Sequence, residues 1–196
     1  ITKNHIYSNV KTRGNYKSFE DALAKCKSYE DQELVKYVYN KTITYSKTLD
    51  KNGLTNPSSD FLMLVCVIFA ASRKMINIVD YGGGAGKHYY EIKNFLKNFN
   101  IRFSWNIIEI ETMCAICKNI ETEELKYYKD IHSFRKANAN QVDIVFSDSV
   151  IPFCKDPYSV LIELMALNSK YVLLSRIHTI DKYDIISVQS SRFHVN

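Results

Sequence analysis

The chain has 196 residues, 46% hydrophobic, 24% charged and 13% aromatic, enough to bury one sizeable core and too apolar for a disordered or fibrous protein. Lys and Arg number 26 against 21 Asp and Glu, a net charge of +5. The two signs interleave without a basic block, which argues against an electrostatic stripe for nucleic acid. Cys26, Cys66, Cys114, Cys117 and Cys154 are odd in number and scattered, which points to reduced thiols and a cytoplasmic protein.

The first 74 residues read as a helical cap. Ser18, followed three residues later by Asp21, is a variant capping box that predicts a helix to about Tyr29. Leu34, Tyr37, Val38, Thr42 and Tyr45 recur at helical spacing and predict a second helix over 31–46. Asn52-Gly53 and Asn56-Pro57 then break the chain. A third helix is expected over 61–73; its run Phe61 to Ala71 is apolar nearly all round, which predicts burial, and at eleven residues it is about half a membrane span. Ile1 to Val10 lacks the plan of a secretion signal, so no export is expected.

From Met75 the rhythm changes. Short β-rich runs at 76–81, 103–110, 125–128, 142–146 and 171–175 alternate with amphipathic stretches at 88–99, 112–120, 131–137 and 157–167. Strict alternation predicts a doubly wound, mostly parallel α/β core over 75–196, with its ligand at the carboxyl ends of the strands.

Asp80-Tyr81-Gly82-Gly83-Gly84-Ala85-Gly86 lies between the first of these strands and the first helix. A phosphate-binding P-loop ending at Gly86-Lys87 would need glycine at Tyr81 and Ser or Thr at His88, and both fail. The dinucleotide fingerprint fails too, since its third glycine falls on Lys87 or Tyr89. What remains is acid-x-Gly-x-Gly-x-Gly, complete in Asp80, Gly82, Gly84 and Gly86. It resembles motif I of class I S-adenosylmethionine-dependent methyltransferases. That resemblance implies S-adenosylmethionine as cofactor, its methionine part wrapped by Asp80, Tyr81, Gly82, Gly83, Gly84 and Gly86, and its ribose held by an acid at the end of the second strand. Glu109, 23 residues past Gly86, is the first choice for that acid and Glu111 the second. Asp130, with His132 beside it, falls in the region that meets adenine, and Ser147 is a further cofactor contact.

The likeness continues through Gly14 to Ala22, Tyr29-Glu30-Asp31, Tyr89-Tyr90, Trp105, Asp143 to Val150, Asp156-Pro157-Tyr158 and Leu173 to Arg176. In this order they resemble an uncharacterised family of bacterial methyltransferases often encoded beside cell-surface polysaccharide genes. Phe19 stands where that family has Trp, and Ser175 where it has an acid. The resemblance implies methyl transfer to an oxygen of a small-molecule acceptor, a saccharide or its precursor. It also implies a closing hairpin after the fifth parallel strand, for which the twenty residues after Arg176 are few; one strand is expected over 184–189 and the remaining C-terminal strands are expected to be missing.

Ser147-Asp148-Ser149-Val150 lacks the Asn/Asp-Pro-Pro-aromatic tetrapeptide of base N-methylating families, which disfavours a nucleic-acid acceptor. A hydroxyl acceptor needs a base, and His178, after the fifth strand, has the pKa for it. Asp148 is the second candidate, with capping of its own loop as the alternative. His88, at the start of the first helix, either shapes the methionine pocket or is solvated. Cys114 and Cys117 have zinc-like spacing without a partner pair and read as core cysteines. The tyrosines of the first 45 residues read mainly as cover for the sheet. Two rival functions are a catalytically inactive cofactor-binding partner protein and a nicotinamide-dependent oxidoreductase on a degenerate glycine loop.

Overall fold

A computed structural model describes residues 10–54, 57, 59–71, 75–177, 181 and 183–191. The chain divides into two compact units, residues 1–31 with 179–196, and residues 32–178.

In the first unit β1 (Val10–Tyr16) and β7 (Ile186–Ser191) form an antiparallel ribbon from Val10↔Ser191 to Tyr16↔Ile186, its register shifting between Arg13 and Tyr16. A strand at β1 corrects the all-helical reading of the first 74 residues. Its partner lies about 180 residues away, and Val-Lys-Thr-Arg-Gly-Asn-Tyr carries no apolar alternation to betray it. β7 covers most of the strand expected over 184–189, but it pairs with β1 and not with the parallel sheet. The helix expected from Ser18 to Tyr29 is α1 (Phe19–Leu23) alone. Ser18 does cap it, its Oγ accepting from Asp21 N at 3.1 Å. Only Ala22 of α1 is buried, and the polar stretch from Lys25 offers no further apolar face to extend the helix.

The second unit opens with α2 (Gln32–Asn52), which runs past its expected end because Leu49 continues the buried stripe of Val35, Thr42 and Ser46. Gly53 stops it, donating to Leu49 O at 2.8 Å with a φ of +68°. α3 (Ser59–Ala71) corrects the reading of a fully buried helix. Phe61, Leu64, Ile68 and Ala71 face the core, whereas Leu62, Met63 and Phe69 are 52, 41 and 45% exposed. α3 lies against the sheet and α4, with Phe69 edge-on to Phe95 and Phe99 at the margin of that contact.

β2 (Met75–Tyr81), α4 (Lys87–Asn98), β3 (Arg102–Ile108), α5 (Glu111–Cys117) with a short turn at Lys118–Ile120, β4 (Leu125–Tyr128), α6 (Ile131–Ala137), β5 (Ile144–Asp148), α7 (Pro157–Met165) and β6 (Tyr171–Ser175) then alternate as expected. All five strands are parallel, in the order β4-β3-β2-β5-β6. One apolar layer joins Ile78, Trp105, Ile107 and Phe146 to α3, α4 and α5; another joins Val79, Ile108 and Val145 to α6 and α7. This is a doubly wound, Rossmann-like unit whose direction of travel reverses between β2 and β5. Such a reversal leaves a crevice at the carboxyl ends of those strands.

At the opposite, amino ends runs a buried polar web. Asn77 Oδ1 accepts from Ser104 Oγ and from Asn106 Nδ2, both at 2.8 Å, while Asn77 N donates to Asp143 Oδ2 at 2.9 Å.

Candidate functional site

The glycine bend leaves β2 at the reversal point. Gly82 N donates to Ile108 O at 2.8 Å, and Gly86 N to Gly83 O at 3.0 Å. Gly82 (φ +73°) and Gly86 (φ +89°, capping α4) hold left-handed backbone that side chains resist. Space forbids side chains as well. A Cβ on Gly82 would collide with Val150, and one on Gly83 would lie 2.5 Å from Asp80 Oδ2. Residues 82–84 are half-buried, with Val38 of α2 facing Gly84.

Asp80 lies sealed beneath this bend, 1% exposed, accepting from Trp105 Nε1 at 3.0 Å. Burial pushes its carboxyl up to about 6, against the pull of the His88 charge and the Trp105 N–H. Glu109 follows β3 and turns toward the bend. Its Oε1 accepts from Gly84 N at 3.0 Å and its Oε2 from Ile110 N at 2.9 Å. Burial raises its pKa while those two N–H groups oppose the rise. β3 stops at Ile108, so Glu111 does not share its face; it begins α5 and is exposed.

Ser147 is buried at the end of β5 and donates to Tyr81 O at 3.1 Å. Tyr81 Oη lies 3.9 Å from Cys154 Sγ. Asp130 is exposed at the carboxyl end of β4 and caps α6, accepting from Ser133 N. His132 sits exposed on the same helix. Cys117 is buried in the core, and Cys114 Sγ donates to Glu109 O at 3.3 Å. His178 lies outside the described residues.

On the far side of the bend, charges gather around His88. The ring is buried, edge-on to Phe146 at 5.0 Å, with Nε2 3.2 Å from Asp148 Oδ2 and Nδ1 3.2 Å from Glu91 Oε2. Arg176 grips Asp148 with its guanidinium fork, Nε to Oδ1 at 2.7 Å and Nη2 to Oδ2. Glu91 accepts from Tyr45 Oη at 2.9 Å, and Lys87 Nζ lies 3.4 Å from its Oε1. Burial alone would lower the His88 pKa, but the two carboxylates outweigh it and lift it to about 9. Burial would raise Asp148, and here His88 and Arg176 win, holding it well below the usual carboxylate range. Ser149 (φ +63°) and Arg176 (φ +53°) both have left-handed backbone, and Ser149 N donates to Ser175 O at 3.0 Å.

The structure thus brings Asp80, Gly82, Gly83, Gly84, Gly86, Glu109 and Asp148 around one bend. Trp105, Glu91 and Val150 belong to the same constellation, and the sequence reading gave them no role there. Glu91 had a signal, since His88 and Glu91 are three residues apart on one helix. Val150 had none.

No family model matches the sequence, and no curated protein matches it. Among solved structures the chain is similar to a proposed S-adenosyl-L-methionine-dependent methyltransferase from Methanococcus maripaludis, at 16% identity and a TM-score of 0.49, covering 72% of this chain and 61% of that one. It is similar to the plantazolicin methyltransferase BamL in complex with a triazolic desmethylPZN analog and SAH, at 12% identity and a TM-score of 0.42, covering 76% and 54%. It is also similar to the plantazolicin methyltransferase BpumL in complex with SAH, at 15% identity and a TM-score of 0.39, covering 79% and 58%. The chain spans between 54% and 61% of the length of these three proteins.

Proposed function

We propose that the chain is an S-adenosylmethionine-dependent methyltransferase acting on an oxygen of a small molecule, a saccharide or its precursor. One observation carries the cofactor reading. Glu109 reaches from the end of the second parallel strand to Gly84 N in a half-buried bend, which puts its carboxylate at the glycine loop. A phosphate would be repelled by that carboxylate, whereas the two hydroxyls of a ribose can donate to it. The donor set fits the cofactor at its ribose, whose hydroxyls Glu109 would hold, and its amino-acid part would lie at Gly84, the glycine of the bend with the most room.

When bound, S-adenosylmethionine supplies a methyl group on a sulfonium, open to in-line displacement by an oxygen. The chain's own share is placement at the carboxyl ends of its parallel strands, where the bend, Glu109 and the end of β5 come together. The saccharide class follows from the family resemblance, and His178 is the proposed base for a hydroxyl acceptor.

Isothermal titration tests the cofactor. SAH is expected to bind the full chain, and Glu109→Gln to weaken it about tenfold, the loss of one charge-assisted hydrogen bond. Binding of NADH with none of SAH would overturn the proposal in favour of an oxidoreductase.

A further inference from the structure

His88 is enclosed by carboxylates on opposite edges of its ring. Each ring nitrogen lies 3.2 Å from a carboxylate oxygen, Nε2 from Asp148 and Nδ1 from Glu91. A neutral imidazole carries one N–H and one lone pair, so in either tautomer a lone pair would face a carboxylate oxygen. Only the doubly protonated ring presents a positive edge to each: Nε2 is hydrogen-bonded to Asp148, and Nδ1 meets Glu91 as a charge pair outside hydrogen-bond alignment. The surrounding charges agree. The anions are Asp80 on β2, Glu91 on α4 and Asp148 on β5, and the cations other than His88 are Lys87 on α4 and Arg176 after β6. A protonated His88 brings these groups to balance. Tyr45 of α2 adds a neutral hydroxyl on Glu91, and Phe146 adds an aromatic floor.

His88 is the second residue of α4, where the helix dipole disfavours a cation. Its placement there therefore depends on the two carboxylates, and each ties it to something different. Glu91 is one turn along the same helix, so that contact orients the ring. Asp148 belongs to β5 and is itself gripped by Arg176, so that contact spans from α4 to two strand ends. The glycine bend enters α4 directly through Gly86, and whatever fixes the first turn of α4 fixes the bend.

We infer that His88 is a positioning residue held as an imidazolium, fastening the first turn of α4 and the glycine bend to the ends of β5 and β6 through Asp148, which is the anchor of this clamp and not the base for an acceptor. A base must offer a lone pair to the substrate. Both Asp148 oxygens instead accept from cations of the chain itself. The role in catalysis rests on the proposed methyl transfer, whereas the clamp itself is a property of the chain without cofactor.

The test uses the cofactor-free chain. ¹H–¹⁵N NMR of His88 should show both ring nitrogens protonated at pH 7.5 and a midpoint near 9, far from the ordinary 6.5. The carbonyl ¹³C resonances of Gly82 to Gly86 should follow the same midpoint. A folded pKa above the unfolded one makes the clamp's stabilisation complete below 6.5 and lost between 6.5 and 9. The unfolding constant should accordingly rise about tenfold per pH unit across that window. His88→Gln should flatten this slope and abolish the glycine titration. Should His88→Gln not fold, Asp148→Asn should lower the His88 midpoint in NMR without removing the ring, because the anion facing Nε2 is gone.

A His88 midpoint near 6.5, or glycine signals indifferent to it, would overturn the clamp. Failure of SAH to bind a chain that shows the coupled titration would sink the methyltransferase reading and leave the clamp standing. Full turnover in Asp148→Asn would fit neither a base nor an anchor at Asp148, and would overturn the inference.

Discussion

The two flanks of the glycine bend hold carboxylates in opposite ways. On the β3 side, Asp80 and Glu109 accept from neutral donors, the Trp105 indole and the backbone N–H groups of Gly84 and Ile110, and burial raises both pKa values. On the β5 side, Asp148 accepts from two cations and its pKa is driven down. All three acids stand at strand ends of one sheet. Position along a strand therefore does not decide ionisation; the charge of the donor does. The difference divides the labour. Glu109, held by neutral donors at the rim, can exchange partners, which suits a ligand site, whereas Asp80, held in the same way, is sealed beneath the bend. A carboxylate locked between two cations cannot exchange partners, which suits an anchor.

Replacing acid by amide on each flank breaks the comparison most directly. Asp148→Asn removes the charge that faces both His88 and Arg176 while leaving their cations in place, and should cost about 3 kcal/mol in urea denaturation. Trp105→Phe acts on the other flank and should cost about 2 kcal/mol, from the lost N–H and the space it leaves. Because that N–H holds the Asp80 pKa down, the carboxyl should then titrate above 6 in ¹³C NMR, which sharpens the contrast. Glu109→Gln should be the mildest in denaturation, within about 0.5 kcal/mol of the parent, because an amide oxygen still accepts from Gly84 N. Equal losses from Asp148→Asn and Glu109→Gln would mean that the two flanks are alike after all.

Much of this architecture was legible in the sequence, for identifiable reasons. β4 spans 125–128, β6 spans 171–175 and α6 spans 131–137, as expected, because buried parallel strands and amphipathic helices write strong local patterns. The place of Glu109 was readable because a strand end lies at a countable interval from the glycine bend, and its carboxylate does meet Gly84 N. The misses share a cause too. β1 has a partner at the far end of the chain and Lys, Thr, Arg and Gly in its core, so nothing local marks it. The exposed side of α3 was unreadable because composition records how apolar a helix is, and not how many neighbours it will have. Asp80 and Trp105 meet because Ile78 pairs with Trp105 and Asp80 with Ile107, which places the two side chains on one face of adjacent strands. That contact follows from register, which no single strand announces.

Register is also what the polar web at the amino ends guards. Asn77, Ser104, Asn106 and Asp143 satisfy one another only when β2, β3 and β5 stand in their present alignment; a slip of one residue would strand several of them unpaired among apolar neighbours. The sheet thus carries a vernier at its base, far from any chemistry. With the scale fixed there, the upper rim is free to trade one side chain for another without the strands sliding past each other, and a single framework can be re-tooled at its top while its footing stays still.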